Sequence, residues 1–232
     1  MPSDWLKALY RSNNRLLCLI YEFNFFPTRY MHRDWVEELL PDGYGTLYEK
    51  LLANPRAERR LSEFILAGRN IEGGPFHDFQ ELSHRFALLD PDSLGQLLLY
   101  TGIATGARWI SHQIERTAVA LLKESLGEKG YLFALKKAPF LIGNASFPST
   151  RPEQNDKLLS FLLASAVQCL KLCLHDAPSS LVQRMLLKLP RELAGYWEEG
   201  GDLVVGDRRQ VQMVMKRILF KEVSSEWAPY FS

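Results

Sequence analysis

The residue pair that comes closest to acid–base chemistry is His77 and Asp78, which follow the turn-forming run Gly73-Gly74-Pro75. An imidazole beside a carboxylate can transfer protons when a nucleophile or a substrate-binding loop lies nearby. The sequence has no Gly-x-Ser-x-Gly elbow, no phosphate-binding loop with a following lysine and no dinucleotide fingerprint. A helical enzyme that uses His77 and Asp78, or a cysteine, therefore stands as the alternative to a non-catalytic protein.

The residues closest to a metal-binding set are Cys169, Cys173 and His175. The two cysteines lie one helical turn apart and share a face. A structural zinc site needs four ligands, commonly from paired cysteines in turns, and no second such pair exists. We therefore predict no metal and no cofactor, and expect both thiols to act as small apolar groups. Together with Cys18 they make three cysteines, an odd number that predicts free thiols in a reducing compartment.

Two stretches are candidates for protein binding. The first is the aromatic region around Pro27, where an exposed anchor would be formed by Arg29, Tyr30, His32 and Trp35. Aromatic and arginine side chains dominate interface hot spots but also fill cores, so burial decides between the two interpretations. The second is the basic face of a helix predicted at about Asp207 to Val223, which carries Arg208, Arg209, Lys216 and Arg217. This face is either solvated or a docking surface for an acidic partner.

Helical periodicity dominates the elements that must position these residues. Helix starts are predicted at Asn54-Pro55 and at Asp90-Pro91, and the apolar faces that follow are Leu61, Phe64 and Ile65, and then Leu94, Leu97 and Leu98. A long amphipathic helix is predicted from Ala107 to near Gly127, with an inward face of Ile110, Ile114, Thr117, Ala118 and Leu121. The last helix should bury Val211, Val214, Met215 and Ile218.

Two further patterns indicate how the helices pack. The segment from Asp156 to Leu174 is apolar nearly all round, which predicts a central helix. Gly102 and Gly106 are four residues apart, which on a helix favours close approach of another helix over a ligand loop. We predict a mostly α, single-domain irregular bundle over residues 1–232, with about eight to twelve helices and at most a minor strand at Leu203 to Val205.

Composition excludes several classes of function. The chain has 232 residues and is 47% hydrophobic, enough for a sizeable core. Lys plus Arg total 28 against 27 Asp plus Glu, so no global field attracts nucleic acid or anionic lipid. The apolar run from Leu158 to Leu174 includes Gln168 and Lys171, which favours a core helix over a membrane span. The amino end has no secretory signal pattern, which predicts a cytosolic protein without direct membrane insertion.

Several short motifs, taken in order, resemble the SctK family, also called YscK or OrgA-like. The first is Phe25-Phe26-Pro27-Thr28-Arg29-Tyr30-Met31-His32 with a downstream Leu-Pro. The later ones are Leu97 to Gly102, Phe140 to Gly143, Leu181 to Pro190, and the end from Met215-Lys216-Arg217 to Tyr230-Phe231. The resemblance covers residues 23–231 with gaps, and residues 1–22 are predicted to form an additional helix.

The resemblance implies a non-enzymatic helical adaptor of the sorting platform of a bacterial type III secretion injectisome. Such a protein would link the cytoplasmic domain of a SctD-like inner-membrane ring protein to a SctQ-like pod protein. Through the pod protein it would meet a SctL-like stator and a SctN-like ATPase, and it would attach to the inner membrane only through protein contacts. A secretion chaperone fits less well, because such chaperones are typically small and acidic and this chain carries a net charge of +1.

Overall fold

The computed structural model describes residues 14–39, 45–69, 71, 74–143, 145, 147, 158–199 and 207–231. Within these ranges the chain forms eleven α-helices and no strand, which confirms the mostly α prediction. The helices are α1 (Asn14–Phe25), α2 (Arg33–Leu39), α3 (Gly45–Leu52), α4 (Pro55–Gly68), α5 (Pro91–Ser111), α6 (Arg116–Lys136), α7 (Ala138–Ile142), α8 (Leu158–Cys173), α9 (Ser179–Leu186), α10 (Arg191–Glu199) and α11 (Arg208–Ile218).

Shorter helical turns complete the described structure. Three 3₁₀-helices cover Pro27–Arg29, Leu82–Leu88 and Ser225–Tyr230, and a π-helix covers Leu219–Val223 directly after α11. The predicted strand at Leu203 to Val205 and residues 1–13 of the predicted additional helix lie outside the described residues. The remainder of that amino-terminal segment is helical, since α1 begins at Asn14.

The chain divides into two compact units. The first contains residues 1–94, 176–194 and 229–232, and the second contains residues 95–175 and 195–228. The single-domain organisation stays a prediction.

In the first unit, α4 begins at the predicted position but turns a different face inward. The Asn54 side chain accepts hydrogen bonds from the N–H groups of Arg56 and Ala57, at 3.0 and 3.4 Å. The prediction that Phe64 faces the core is wrong, because its side chain is 58% exposed. Ser62 is buried in its place, since its hydroxyl is hydrogen-bonded at 2.8 Å to the hydroxyl of Thr28, and buried polar groups require such partners.

Lys188 lies in the core of the first unit with 4% of its surface exposed. Its ammonium donates hydrogen bonds to the carbonyl oxygens of Ala87 and Leu89, both at 2.6 Å. The same nitrogen lies 5.2 and 4.9 Å from the ring centroids of Phe23 and Tyr30, a cation–π arrangement. Burial disfavours the charged form and lowers the pKa of Lys188 to about 7, although the negative charge of nearby Asp90 opposes the shift.

In the second unit, the prediction of one helix from Ala107 to near Gly127 is wrong. Helix α5 ends at Ser111 and α6 begins at Arg116, so Ile114 lies between them and is 92% exposed. The Ser111 hydroxyl donates to the carbonyl of Arg108 at 2.8 Å, and His112 Nδ1 lies 2.6 Å from the same oxygen. These side chains occupy a carbonyl of the last turn and end the helix there.

The helix that begins at Arg116 ends at Gly127, as predicted, because the φ of +70° and ψ of 162° at this glycine are not helical. A second helical segment follows it to Lys136, and α6 denotes the two segments together. Leu121, expected on the inward face, is 45% exposed, whereas Ala118 and Leu122 are buried. At this turn of the helix, Leu122 therefore occupies the inward position that was predicted for Leu121.

The packing of α5 against α8 confirms the helix-packing interpretation of Gly102 and Gly106. A Cβ atom on Gly102 would overlap the main-chain carbonyl of Leu162, and one on Gly106 would lie 2.6 Å from Cδ2 of the same leucine. Helix α8 has one exposed leucine, Leu159, at 38%, and its buried residues are Leu158, Leu162, Ala166, Val167, Cys169, Leu170 and Cys173. The two backbones can approach this closely only because α5 has no side chain at Gly102.

Substitution of Gly102 tests this close approach. Gly102→Ala should lower the free energy of unfolding by about 1–3 kcal/mol, because the added methyl group forces the two helices apart. Gly95 provides a control in the same helix, since a Cβ atom there has no neighbour within 4 Å. Gly95→Ala should stabilise the chain by about 0.5–1 kcal/mol in urea unfolding through its higher helix propensity. Equal stabilities of the two variants would contradict the packing argument.

The environment of Lys188 predicts a specific pH dependence. Its folded-state pKa of about 7 lies below its ordinary value of 10.5, so the unfolded chain binds more protons between these values. Unfolding free energy should therefore rise with pH, by roughly 1 kcal/mol per unit between about pH 7.5 and 9. Urea unfolding of Lys188→Met over the same range should lack this increase. The same slope in both proteins would show that Lys188 titrates normally.

Candidate protein-binding surfaces

Of the four residues predicted to anchor a partner in the first unit, Tyr30 belongs to the core. Its hydroxyl donates a hydrogen bond to the carbonyl of Phe23 at 2.7 Å, and its ring stacks on the ring of Phe23 with centroids 5.9 Å apart. Burial raises the pKa of the Tyr30 phenol. Its side chain is therefore inaccessible to a partner.

Arg29 is exposed, but two carboxylates of the chain bind its guanidinium. Nε and Nη2 donate to the two oxygens of Glu58 at 2.8 and 3.1 Å, and Nη1 donates to Glu22 at 2.9 Å. The guanidinium carbon lies 4.5 Å from the ring centroid of Phe26. The hydrogen bonds from Arg29 hold the pKa of the Glu58 carboxyl below its ordinary value. This side chain positions its neighbours and leaves little capacity for an external carboxylate.

His32 and Trp35 make contacts to residues that follow α9. The backbone N–H of His32 donates to the carbonyl of Leu187 at 2.8 Å, and Nε1 of Trp35 donates to the carbonyl of Leu189 at 2.8 Å. His32 Nδ1 lies 3.2 Å from Oδ1 of Asp34. Both side chains are half-buried, so each combines a structural role with an accessible edge.

Two arginines that sequence reasoning missed lie close to the ring of Trp35. The guanidinium carbons of Arg69 and Arg191 are 4.5 and 5.7 Å from its ring centroid. Both arginines pair with Glu38, at 2.7 and 3.6 Å, and the hydrogen bond from Arg69 lowers the pKa of this carboxyl. We call Trp35, Glu38, Arg69 and Arg191 the Trp35 cluster. Its members come from three distant parts of the sequence, and no local pattern could have predicted it.

In the second unit, α11 presents the predicted faces. The Asp207 side chain accepts a hydrogen bond from the N–H of Arg209 at 2.9 Å and begins the helix. The predicted inward residues Val211, Val214, Met215 and Ile218 are all buried. Arg209 and Arg217 are exposed, whereas Arg208 is half-buried and its charge acts on the thiol of Cys173. The three arginines therefore do not form one equivalent surface.

The two cysteines of α8 are buried in the second unit. Burial raises the pKa of Cys169 to about 12 and also raises the pKa of Cys173, whose Sγ lies 3.6 Å from Sδ of Met215. A protonated, buried thiol is a poor nucleophile and a poor metal ligand. In the part of the chain that the structure describes, no group of three or more His, Cys, Asp or Glu residues could hold a metal ion.

His77 and Asp78 each have other contacts in the first unit. The carboxylate of Asp78 accepts a hydrogen bond from the N–H of Gln80 at 3.2 Å, and the ring of His77 lies 6.4 Å from that of Phe25. Partial burial lowers the pKa of His77, and the positive charge of Arg184 adds to this effect. Among the contacts of the described residues, no hydrogen bond or ion pair joins His77 to Asp78. The enzyme alternative gains no support from this geometry.

Comparison with known proteins assigns the family. Residues 18–231 match the family described as YOP proteins translocation protein K (YscK). The chain belongs to the YscK family. This match confirms the resemblance read from the ordered motifs and begins within α1. None of the helices that the structure describes is long and apolar enough to cross a membrane.

A solved structure shares the fold. This YscK-family chain is similar to the cytoplasmic domain of PscK, described as a type III secretion sorting platform protein from P. aeruginosa. The TM-score is 0.54 and the identity 20%, with 89% of this chain and 95% of that chain covered. No curated protein sequence matches the chain. The structural likeness supports the helical architecture, and the sequence match carries the family assignment.

The first YscK-like motif has a structural use in this chain. It covers the end of α1, the 3₁₀-helix Pro27–Arg29 and the approach to α2. Pro27, Thr28 and Tyr30 are buried, and Arg29 is bound by carboxylates. The motif therefore has a structural role in the first unit, and the half-buried Trp35 ring lies beyond it on α2.

Substitution of Arg29 tests how much its ion pair with Glu58 stabilises the fold. Arg29→Ala leaves the largely buried carboxylate of Glu58 without its hydrogen-bond donor, and should lower the unfolding free energy at pH 7 by about 1–3 kcal/mol. Arg33 pairs with Glu37 on the exposed side of α2, so Arg33→Ala should cost less than about 0.5 kcal/mol.

Acid provides the second measurement on this pair. The folded-state pKa of Glu58 lies below its ordinary value of 4.5, so the stability that it contributes is present above that pH and is lost as pH falls further. Urea unfolding should therefore show the difference between the wild type and Arg29→Ala shrinking below pH 4.5. A pH-independent difference would mean that Arg29 stabilises the fold through packing alone.

Proposed function

We propose that this chain is a non-enzymatic adaptor of a type III secretion sorting platform. In this role it links the cytoplasmic domain of a SctD-like inner-membrane ring protein to a SctQ-like pod protein. Through the pod protein it connects indirectly to a SctL-like stator and a SctN-like ATPase. The observation that carries the proposal is the YscK family match, which spans residues 18–231 and thus almost the whole chain.

The solved relative supports the same assignment. PscK is described as a sorting platform protein, and its cytoplasmic domain shares the helical fold over 89% of this chain. The site chemistry is also consistent with binding rather than catalysis, since the cysteines of α8 are buried and His77 and Asp78 are not joined. We therefore propose that the chain acts in the cytoplasm and is held at the inner membrane by its protein partners.

An adaptor needs separate surfaces for separate partners, and each unit offers one. In the first unit, the Trp35 cluster combines a half-buried tryptophan with two arginines, the residue types that dominate interface hot spots. In the second unit, Arg209 and Arg217 lie on the outward face of α11. We propose that these two surfaces serve different partners.

Capture with purified components tests the proposal. The full chain, immobilised, should retain both a SctD-like cytoplasmic domain and a SctQ-like pod protein, and all three should coelute from a sizing column. Capture of neither partner would contradict the adaptor role.

The Trp35 cluster is tested in the same assay. Arg191→Ala removes a guanidinium from the face of Trp35 and should weaken the binding of one partner at least about fivefold, the effect of a loss above 1 kcal/mol. Arg33→Ala, also exposed and at the first position of α2, is the matched control and should bind as the wild type does. Equal binding by both variants would remove the cluster from the proposed interface.

A further inference from the structure

The outward face of α11 carries a stripe of three exposed residues at four-residue spacing. These are Arg209, Met213 and Arg217, which we call the α11 stripe. Residues four apart lie on the same face of a helix, so Met213 is positioned between Arg209 and Arg217 along α11. Met213 is 47% exposed although methionine is an apolar residue. The exposed face of α11 thus carries an apolar side chain between two basic ones, where a fully solvated face would carry a polar side chain.

Phe140, on the neighbouring helix α7, is a second exposed apolar side chain of the second unit. Its side chain is 84% exposed. Arg217 connects the two helices, since Nη1 lies 3.5 Å from the carbonyl oxygen of Leu141 and Nη2 lies 3.2 Å from Sδ of Met213. The residue next to Phe140 in sequence is thus in direct contact with the stripe. An aromatic ring and a thioether left in water beside arginines are typical of a surface that a partner covers.

The charges of the stripe are not compensated within the described structure. In those ranges, no carboxylate forms an ion pair with Arg209 or Arg217. Glu222, which follows α11 in the π-helix, is instead paired with Lys137 at 2.7 Å. Arg208 does not belong to this exposed set, because its side chain is half-buried and its positive charge lies near Cys173, where it favours a lower thiol pKa. The two exposed arginines therefore retain their capacity for external carboxylates.

We propose that the α11 stripe and Phe140 bind an acidic amphipathic helix of a partner protein. This inference rests on the proposed adaptor function and adds the chemistry of the segment that is recognised. Eight residues of α-helix separate the two arginines by about 12 Å, so the matching carboxylates lie two helical turns apart. An apolar residue between these carboxylates meets Met213, and a second apolar residue meets Phe140. The charged pairs select the partner and its register, while the apolar contacts supply affinity.

The same surface is poorly suited to nucleic acid or a lipid headgroup layer. A phosphate backbone presents closely and regularly spaced charges, and its affinity comes from many cationic contacts. Here two arginines are separated by Met213 along α11, and Phe140 on α7 is an exposed aromatic side chain. Carboxylates that flank an apolar side chain match this pattern better than an uninterrupted row of phosphates does.

A charge-swap titration tests direct contact. The probe is a synthetic helical peptide with Glu, Leu and Glu at successive four-residue spacing, and its counterpart has Lys in place of both glutamates. Fluorescence anisotropy should show that the wild-type chain prefers the acidic peptide and that Arg209→Glu/Arg217→Glu prefers the basic one. Phe140→Ser/Met213→Ser should lower the affinity for the acidic peptide about tenfold. Its binding should keep more of its dependence on salt concentration than the binding of Arg209→Glu/Arg217→Glu does.

The control is a charge reversal of equal size elsewhere in the second unit. Arg116 and Lys129 are exposed on α6, so Arg116→Glu/Lys129→Glu should bind the acidic peptide within about twofold of the wild type. Circular dichroism and urea unfolding confirm that each variant folds. If the control variant also loses its preference for the acidic peptide, the assignment to the α11 stripe is overturned. Binding of the wild type to phosphatidylglycerol vesicles in place of the peptide would overturn it as well.

The purified SctD-like and SctQ-like proteins separate this inference from the proposed function. If the wild type captures either partner, Arg209→Glu/Arg217→Glu should weaken one of them at least about tenfold. Unchanged capture of both would overturn the inference and leave the adaptor role intact. If the wild type captures neither partner, the adaptor role fails, and the peptide titration alone decides whether the stripe binds an acidic helix.

Discussion

The first unit depends on how it accommodates the buried amino group of Lys188. A polar group taken out of water requires close partners, and here they are the carbonyls of Ala87 and Leu89 and the ring faces of Phe23 and Tyr30. These groups come from helix α1 and from the ends of two 3₁₀-helices. Because the amino group contacts all of them at once, segments distant in sequence converge on it. Tyr30 is one of these core contacts.

The second unit depends instead on the close packing of two helices. Gly102 lets the backbone of α5 approach the carbonyl of Leu162, and this contact packs α5 closely against the apolar helix α8. Helix α11 then buries its own apolar face and leaves the stripe of Arg209, Met213 and Arg217 exposed. The same helix therefore contributes apolar side chains to the core and arginines without carboxylate partners in the described structure to the surface. This is possible because the two faces of an amphipathic helix consist of different residues.

The ordered motifs identify the family without marking its binding residues. In the first motif, Pro27, Thr28 and Tyr30 are buried, and Arg29 is bound by Glu22 and Glu58. Such residues are constrained by packing, which makes them recognisable in sequence. Groups that meet a partner must instead stay accessible, as the proposed function requires of the Trp35 ring and the Arg191 guanidinium. Recognition of a family and recognition of its interface thus draw on different residues.

The sequence by itself determined the helical class, the helix starts at Asn54 and Asp90, the inward face of α11 and the close approach at Gly102. Each of these depends on neighbouring residues or on helical spacing, which are local. Only the tertiary structure decided that Phe64 is exposed while Ser62 is buried, that Ile114 lies outside a helix, and that Arg69 and Arg191 flank Trp35. The physical reason is that a polar group is buried when a partner distant in sequence satisfies it, and helical periodicity carries no information about that partner.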